Sequence, residues 1–157
     1  MNVPPEIAEI LAHWAQKAEH DLEAATRILA LEDGCPFDTV CFHCQQVAEK
    51  YIECLLTLRE ISAPRTHDLR ALGLLLPEDA TLPVTFAELA ELNPYAVQVR
   101  YAGDWPEPTL SDARRALSLA LAVRGAVRQF LPPRVTTTER ASEDPDGATP
   151  ARTTEHS

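Results

Sequence analysis

The stretch CFHCQQVAEKYIECLL, residues 41–56, holds the densest set of chemically active side chains in the sequence. Cys41 and Cys44 have the spacing of half a zinc site or of a redox pair. His43 lies between them, and three more polar candidates follow: Gln46, Glu49 and Lys50. The stretch therefore allows three interpretations: a metal or redox site, a polar catalytic or binding cluster, and a helix whose buried face carries the cysteines.

Helical phasing separates the cysteines from the polar residues. At about 100° per residue, one broad arc collects the apolar positions Phe37, Val40, Cys41, Cys44, Val47, Ala48, Tyr51, Leu55 and Leu58. A zinc ion needs about four ligands, and a single CxxC supplies two. We therefore predict that both thiols are buried and act as small hydrophobic groups, with no metal site and no cofactor.

The opposite arc carries Phe42, Gln46, Glu49 and Glu53, with His43 and Lys50 on one flank. Gln46, Glu49 and Lys50 could face a groove or a nucleotide. Alternatively, they form a solvated helix surface on which Gln46 and Lys50 make an i, i+4 pair. An aromatic ring in the middle of a polar arc is poorly placed for water, so Phe42 favours an interface.

A second candidate segment is RTHD, residues 65–68. Here Thr66 is predicted to cap a short helix that has Asp68 in its first turn. The functional alternative is that Arg65, His67 and Asp68 contact a phosphate or a base, with His67 titrating near neutral pH.

A third segment, VRYAGDWPEP, places Arg100 beside Tyr101 shortly before the last helix. An arginine near a helix N-terminus could receive an anion. The alternative is an ion pair between Arg100 and a carboxylate from the acidic first half of the chain.

The net charge of −10 is unevenly distributed along the 157 residues. Residues 1–93 contain 6 Lys and Arg against 16 Asp and Glu, which argues against broad nucleic-acid binding. No apolar run approaches the roughly 20 residues of a membrane span. The start, MNVPPEIAEI, has no basic or apolar signal region, so we expect a cytoplasmic protein.

Apolar residues recur at helical spacing, and no segment alternates as a strand would. The predicted fold is an all-α, up-and-down bundle of three long helices plus two short helices within residues 5–131. The long helices are expected at 5–32, 36–59 and 110–130, and the short ones at 68–76 and 84–92. The polar, proline-rich residues 132–157 are predicted to form a disordered tail.

Three motifs then occur in order: CFHCQQVAEKYIECLL, RTHDLRALG and VRYAGDWPEP. With an opening helix that contains Trp14, Ala18, Asp21 and Leu22, this set resembles the HEPN domain (higher eukaryotes and prokaryotes nucleotide-binding) over about residues 10–130. The resemblance implies a helical bundle that is usually a homodimer. It also implies a possible partner, because such proteins are often encoded beside a minimal nucleotidyltransferase, in some cases as toxin–antitoxin modules.

Many HEPN proteins are metal-independent RNases with an Arg-x4–6-His motif, which this sequence lacks. The positions four to seven residues after Arg100 hold Asp104, Trp105, Pro106 and Glu107, while Arg65 and His67 are only two residues apart. The resemblance therefore implies a non-catalytic or weakly active protein that binds a nucleotidyltransferase or a nucleotide. In the family such a partner adenylylates hydroxyl groups, and Tyr101 is the acceptor candidate here.

Two alternatives stay open at this point. One is an RNase toxin that uses a non-standard pair, Arg100 and His67, on an RNA substrate. The other is a purely structural interaction module without a nucleotide ligand.

Overall fold

Three long helices and three short ones make up the part of the chain that the computed structural model describes, residues 2–97 and 106–136. The long helices are α1 (Pro5–Leu29), α2 (Phe37–Leu58) and α5 (Leu110–Phe130). The short ones are α3 (Leu69–Leu74), α4 (Phe86–Ala90) and α6 (Pro133–Thr136), and no strand occurs in these ranges. The predicted all-α bundle is confirmed.

The helix boundaries follow local signals. Thr109 begins α5 with a capping box, in which its side chain accepts from the backbone N–H of Asp112 and the Asp112 carboxylate accepts from the backbone N–H of Thr109. Beyond α1, Gly34 has a φ of 66°, which glycine adopts without steric cost. The predicted cap of α3 is wrong: Asp68 caps it, while the Thr66 hydroxyl accepts from the backbone N–H of Asp68.

The central helix α2 packs between α1 and α5. It contributes large buried side chains such as Val47, Tyr51 and Leu55. The facing positions of the outer helices are mostly alanines: Ala8, Ala15, Ala18 and Ala25 on α1, and Ala113, Ala116 and Ala120 on α5. Small residues let the helices approach closely, so the interior of the bundle is filled mainly from α2.

Three apolar residues that helical spacing places on inward-facing arcs are exposed instead: Ile10 is 45% exposed, Leu110 38% and Leu121 44%. On α5, Ala113, Ala120 and Val127 are buried as the spacing predicts, and Ala116, Leu119 and Val123 are buried as well. The apolar residues of α5 surround much of the helix, and only the position of α2 selects which of them are covered.

After α5 the chain forms α6, where the sequence predicts the start of a disordered tail. Val135 is buried, and Arg134 donates from Nη2 to the carbonyl of Val3, 2.5 Å away. Arg128 on α5 donates to the carbonyl of Thr136 at 3.0 Å. These contacts attach the turn to the start of the chain. The rest of the predicted tail, residues 137–157, lies outside the described residues.

Within the described ranges, no helix has both the length and the apolar character needed to cross a bilayer.

Candidate functional site

The polar side of α2 carries a continuous set of side chains between α1 and the loop that leads into α3. We call it the α2 polar face, and it consists of Phe42, His43, Gln45, Gln46, Glu49, Lys50 and Glu53. It divides into two hydrogen-bonded groups, one on each flank.

On the first flank, Glu49 is only 8% exposed and Gln45 is fully buried. Gln45 donates from Nε2 to Glu49 Oε2 at 2.6 Å, and Gln46 donates to Gln45 Oε1 at 2.7 Å. His67 completes the group, with its Nδ1 2.9 Å from Glu49 Oε1. The loop before α3 therefore covers a carboxylate that would otherwise face water.

This arrangement differs from the solvated helix surface, which was one of the two alternatives for Gln46, Glu49 and Lys50. Gln45 was not among the predicted site residues, yet its amide joins Gln46, Glu49 and the loop. One signal for it is present in the sequence. Ile52 and Leu56 follow Gln45 by seven and eleven residues on the same side of the helix, and both are buried. A second layer must therefore cover that flank.

On the second flank, Lys50 forms an ion pair with Asp21 of α1. His43 places Nδ1 2.8 Å from the other carboxylate oxygen of Asp21. Asp21 is 12% exposed and Lys50 19%, so the pair is largely shielded from water. Lys50 therefore pairs with Asp21 on α1, and not with Gln46 on its own helix as the solvated-surface alternative requires.

Between the flanks lie Phe42, Gln46 and Glu53. The Phe42 ring meets the His43 ring edge-on, with centroids 5.4 Å apart. Burial raises the pKa of Glu53, and the neighbouring Glu49 carboxylate raises it further. Lys50 and the two imidazoles that border the face, those of His43 and His67, each contact a carboxylate. The face thus offers a phosphate no cation without a carboxylate partner.

Within the RTHD segment, Asp68 caps α3. Asp68 accepts from the backbone N–H groups of Arg70 and Ala71, and from Asn93 Nδ2 at 2.8 Å. These hydrogen bonds, the one from Asn93 first, lower the pKa of Asp68. Arg65 is exposed and has no ion-pair partner within residues 2–97 and 106–136.

Three arginines of α5 form ion pairs with carboxylates of other helices and loops. Arg115 contacts Glu88 and Glu91, while Arg124 and Arg128 share Glu19 of α1. Arg100 and Tyr101, two predicted ligand-binding residues, lie outside the described residues.

The predicted burial of the CxxC thiols is confirmed. Cys41, Cys44 and Cys54 are fully buried, and Cys35 is half-buried. Burial, together with the nearby Cys41, raises the pKa of Cys44 to about 12. In the described part of the chain, no three His, Cys, Asp or Glu side chains are grouped so that they could hold a metal ion.

These helices and the ordered motifs on them are matched by a family model, the HEPN domain, over residues 11–130. The chain belongs to the HEPN family. Its fold is similar to that of TT1696 from Thermus thermophilus, with 28% identity and a TM-score of 0.66, covering 77% of this chain and 98% of that one.

A second similar structure is ST0689, an archaeal HEPN homologue, with 26% identity and a TM-score of 0.61. The similarity covers 78% of this chain and 98% of that one. No curated protein matches the chain. The HEPN fold is thus the established property of this chain.

Proposed function

We propose that this protein is a non-catalytic HEPN protein that acts by binding other proteins. It forms a homodimer through the α2 polar face and is the partner of a minimal nucleotidyltransferase in a toxin–antitoxin-type module. The observation that carries the proposal is that Lys50 and His43 both contact Asp21 and that His67 contacts Glu49. A surface whose basic groups already have carboxylate partners fits a protein partner better than a phosphate chain.

The absence of the family's RNase pair supports a non-catalytic role. The motif would place a histidine at position 105, 106 or 107 after Arg100, and these positions hold Trp105, Pro106 and Glu107. His67, the other weak candidate, is directed to Glu49. We expect no cleavage of mixed RNA in the absence of metal. Cleavage that disappears in His67→Ala would instead establish the RNase alternative.

Phe42 supports the homodimer. It lies between the two neutralised flanks, where pairing with a second copy would remove the ring from water. Light scattering during size exclusion tests this: Phe42→Glu should become a monomer, whereas Leu121→Glu on α5 should stay a dimer. Leu121 is a suitable control because it is 44% exposed and lies on another helix. A monomeric wild type would refute the homodimer.

The nucleotidyltransferase partner is supported by the family, and Tyr101 is the proposed acceptor of an adenylyl group. The test is the intact mass of the protein after incubation with the product of the neighbouring gene and ATP. An added adenylyl group that is absent from Tyr101→Phe supports the proposal. An unchanged mass removes this part of it.

A nucleotide is a second candidate ligand, and the exposed Arg65 favours it as a cation without a carboxylate partner in the described ranges. Since a ligand that binds only the folded state raises the melting temperature, ATP and AMP should each be titrated in a thermal unfolding assay. A rise that is lost in Arg65→Ala supports nucleotide binding. No rise favours the purely structural module.

A further inference from the structure

An apolar groove of about 420 Å³ lies between α3 and α4, separate from the α2 polar face. Its walls are formed mainly by Leu76, Leu82, Val84, Phe86 and Leu89. Gly73 forms part of the lining, and a Cβ atom at this position would lie 2.8 Å from Leu89 Cδ1. The glycine therefore lets α3 and α4 approach closely beneath the groove.

The two threonine hydroxyls along the groove are already used within the protein. The Thr85 hydroxyl accepts from the backbone N–H of Glu88 at 3.1 Å, and Thr81 donates to the carbonyl of Glu78 at 2.7 Å. A polar metabolite would find few free hydrogen-bonding groups to orient it. The groove is thus suited to apolar side chains.

The segment 74–86 also exposes three large apolar side chains to solvent. Leu74 is 56% exposed, Leu75 38% and Phe86 46%. Leu74 and Leu75 lie between the groove residues Gly73 and Leu76 in the chain. Phe86 itself lines the groove, and exposed apolar surface at a groove is typical of interaction sites on soluble proteins.

The charge around the groove is acidic. Residues 74–92 contain Glu78, Asp79, Glu88 and Glu91 and no basic residue. Arg59 pairs with Asp79, and Arg115 pairs with the last two. Glu78 lines the groove and has no ion-pair partner in the described residues. The groove therefore favours a basic partner, and pairing with a second copy would bring two acidic rims together.

We propose that this groove binds a short amphipathic helix of a partner protein, with apolar residues in the groove and Lys or Arg residues facing Glu78. An amphipathic helix presents apolar side chains at i, i+3, i+4 and i+7, and this is the usual mode by which an apolar groove recognises a helix. The inference does not depend on the homodimer or on the nucleotidyltransferase partner, because it uses a different surface.

The test uses a synthetic, fluorescently labelled helix of about four turns, or ~14 residues, with Leu at the four anchor positions and Lys and Arg elsewhere. Binding is measured by fluorescence anisotropy on the full chain. One control peptide has the same composition with the leucines distributed around the helix. The other replaces Lys and Arg with Glu. We expect the basic amphipathic peptide to bind and both controls to bind at least tenfold more weakly.

Two groove variants locate the binding. Phe86→Ala should weaken it about tenfold, as truncation of an aromatic anchor does, and Glu78→Lys should weaken it several-fold at low salt. Glu9→Lys, an exposed charge change on α1, is the matched control and should leave it unchanged. Thermal unfolding of each variant verifies the fold. Equal binding of the control peptides, or binding that both groove variants retain, overturns the proposal. So does a wild-type dimer that Phe86→Ala dissociates, since the groove would then bind a second copy.

Discussion

The Glu49 carboxylate on α2 lies 2.9 Å from Nδ1 of His67, eighteen residues further along the chain. The two partners differ in exposure: the Glu49 side chain is 11% exposed and the His67 side chain 66%. The contact joins the middle of α2 to the loop before α3. Because Glu49 is buried and His67 is exposed, removing one side chain should affect stability differently from removing the other.

Removal of Glu49 should destabilise the protein more than removal of His67. Glu49→Ala leaves the buried Gln45 amide without its 2.6 Å acceptor, which costs about 1–3 kcal/mol. His67→Ala leaves Glu49 accessible to water at that end, so the expected loss is below about 1 kcal/mol. Urea denaturation of both variants, with Glu9→Ala as a control, measures the difference. Equal losses of stability would contradict this expectation, because the exposed imidazole would then contribute as much as the buried carboxylate.

Glu19 should stabilise the fold only above acidic pH. Burial acts to raise its pKa, but hydrogen bonds from Arg124 and Tyr51 outweigh this, and the pKa of Glu19 lies below the usual 4.5. Its contribution is therefore present above pH 4.5 and is lost as the pH falls through the lower folded-state value.

Glu19→Gln should cost about 1–2 kcal/mol at neutral pH, because two arginines lose their shared carboxylate. The difference between the wild type and the variant should shrink as the pH falls below 4.5. Unfolding free energies across this range supply the measurement. A difference that does not change with pH would mean that the carboxylate charge is irrelevant.

Glu53 should have the opposite effect. Burial raises its pKa above 4.5, so the folded state favours the protonated acid. The stabilisation of the folded state is complete below pH 4.5 and is lost as the pH rises through the folded-state pKa. Glu53→Gln should therefore be more stable than the wild type at neutral pH and equal to it well below pH 4.5. A less stable variant at neutral pH would point to a specific role for the carboxylate.

The buried thiols should be unreactive in the folded protein. Burial raises the pKa of both Cys44 and Cys54 to about 12, so little thiolate exists at neutral pH. Cys35 is half-buried and donates from Sγ to the carbonyl of Ile28 at 3.3 Å. Iodoacetamide should add one group at most to the native chain, at Cys35, and four in denaturant. Modification of Cys41 or Cys44 in the native protein would contradict their burial.

The long helices could be predicted from the sequence because their signals are local. Thr109 and Asp112 form the capping box at the start of α5, and α5 begins and ends where the periodicity predicts. The alternation of core and polar arcs along α2 likewise predicted correctly that Cys41 and Cys44 are buried. On α5, periodicity correctly placed Ala113, Ala120 and Val127 inside, but it also placed Leu110 and Leu121 there, because they are as apolar as the residues that are buried.

Helical spacing placed Glu49 and Lys50 on the polar side of α2, where the structure has them, but the side chains that contact them come from distant positions. Asp21 is 29 residues from Lys50, and His67 is 18 from Glu49. Helical spacing specifies neighbours within one helix and says nothing about the side chains that another helix places there.

The sequence by itself determined that this protein is a helical bundle of the HEPN type, because hydrophobic periodicity, caps and ordered motifs are written along the chain. Only the tertiary structure decided that Lys50 of α2 pairs with Asp21 of α1, and that α3 and α4 enclose an apolar groove. The physical reason is that charge pairing and cavity shape depend on which residues meet across helices. Those distances are set when the alanine faces of α1 and α5 close on α2.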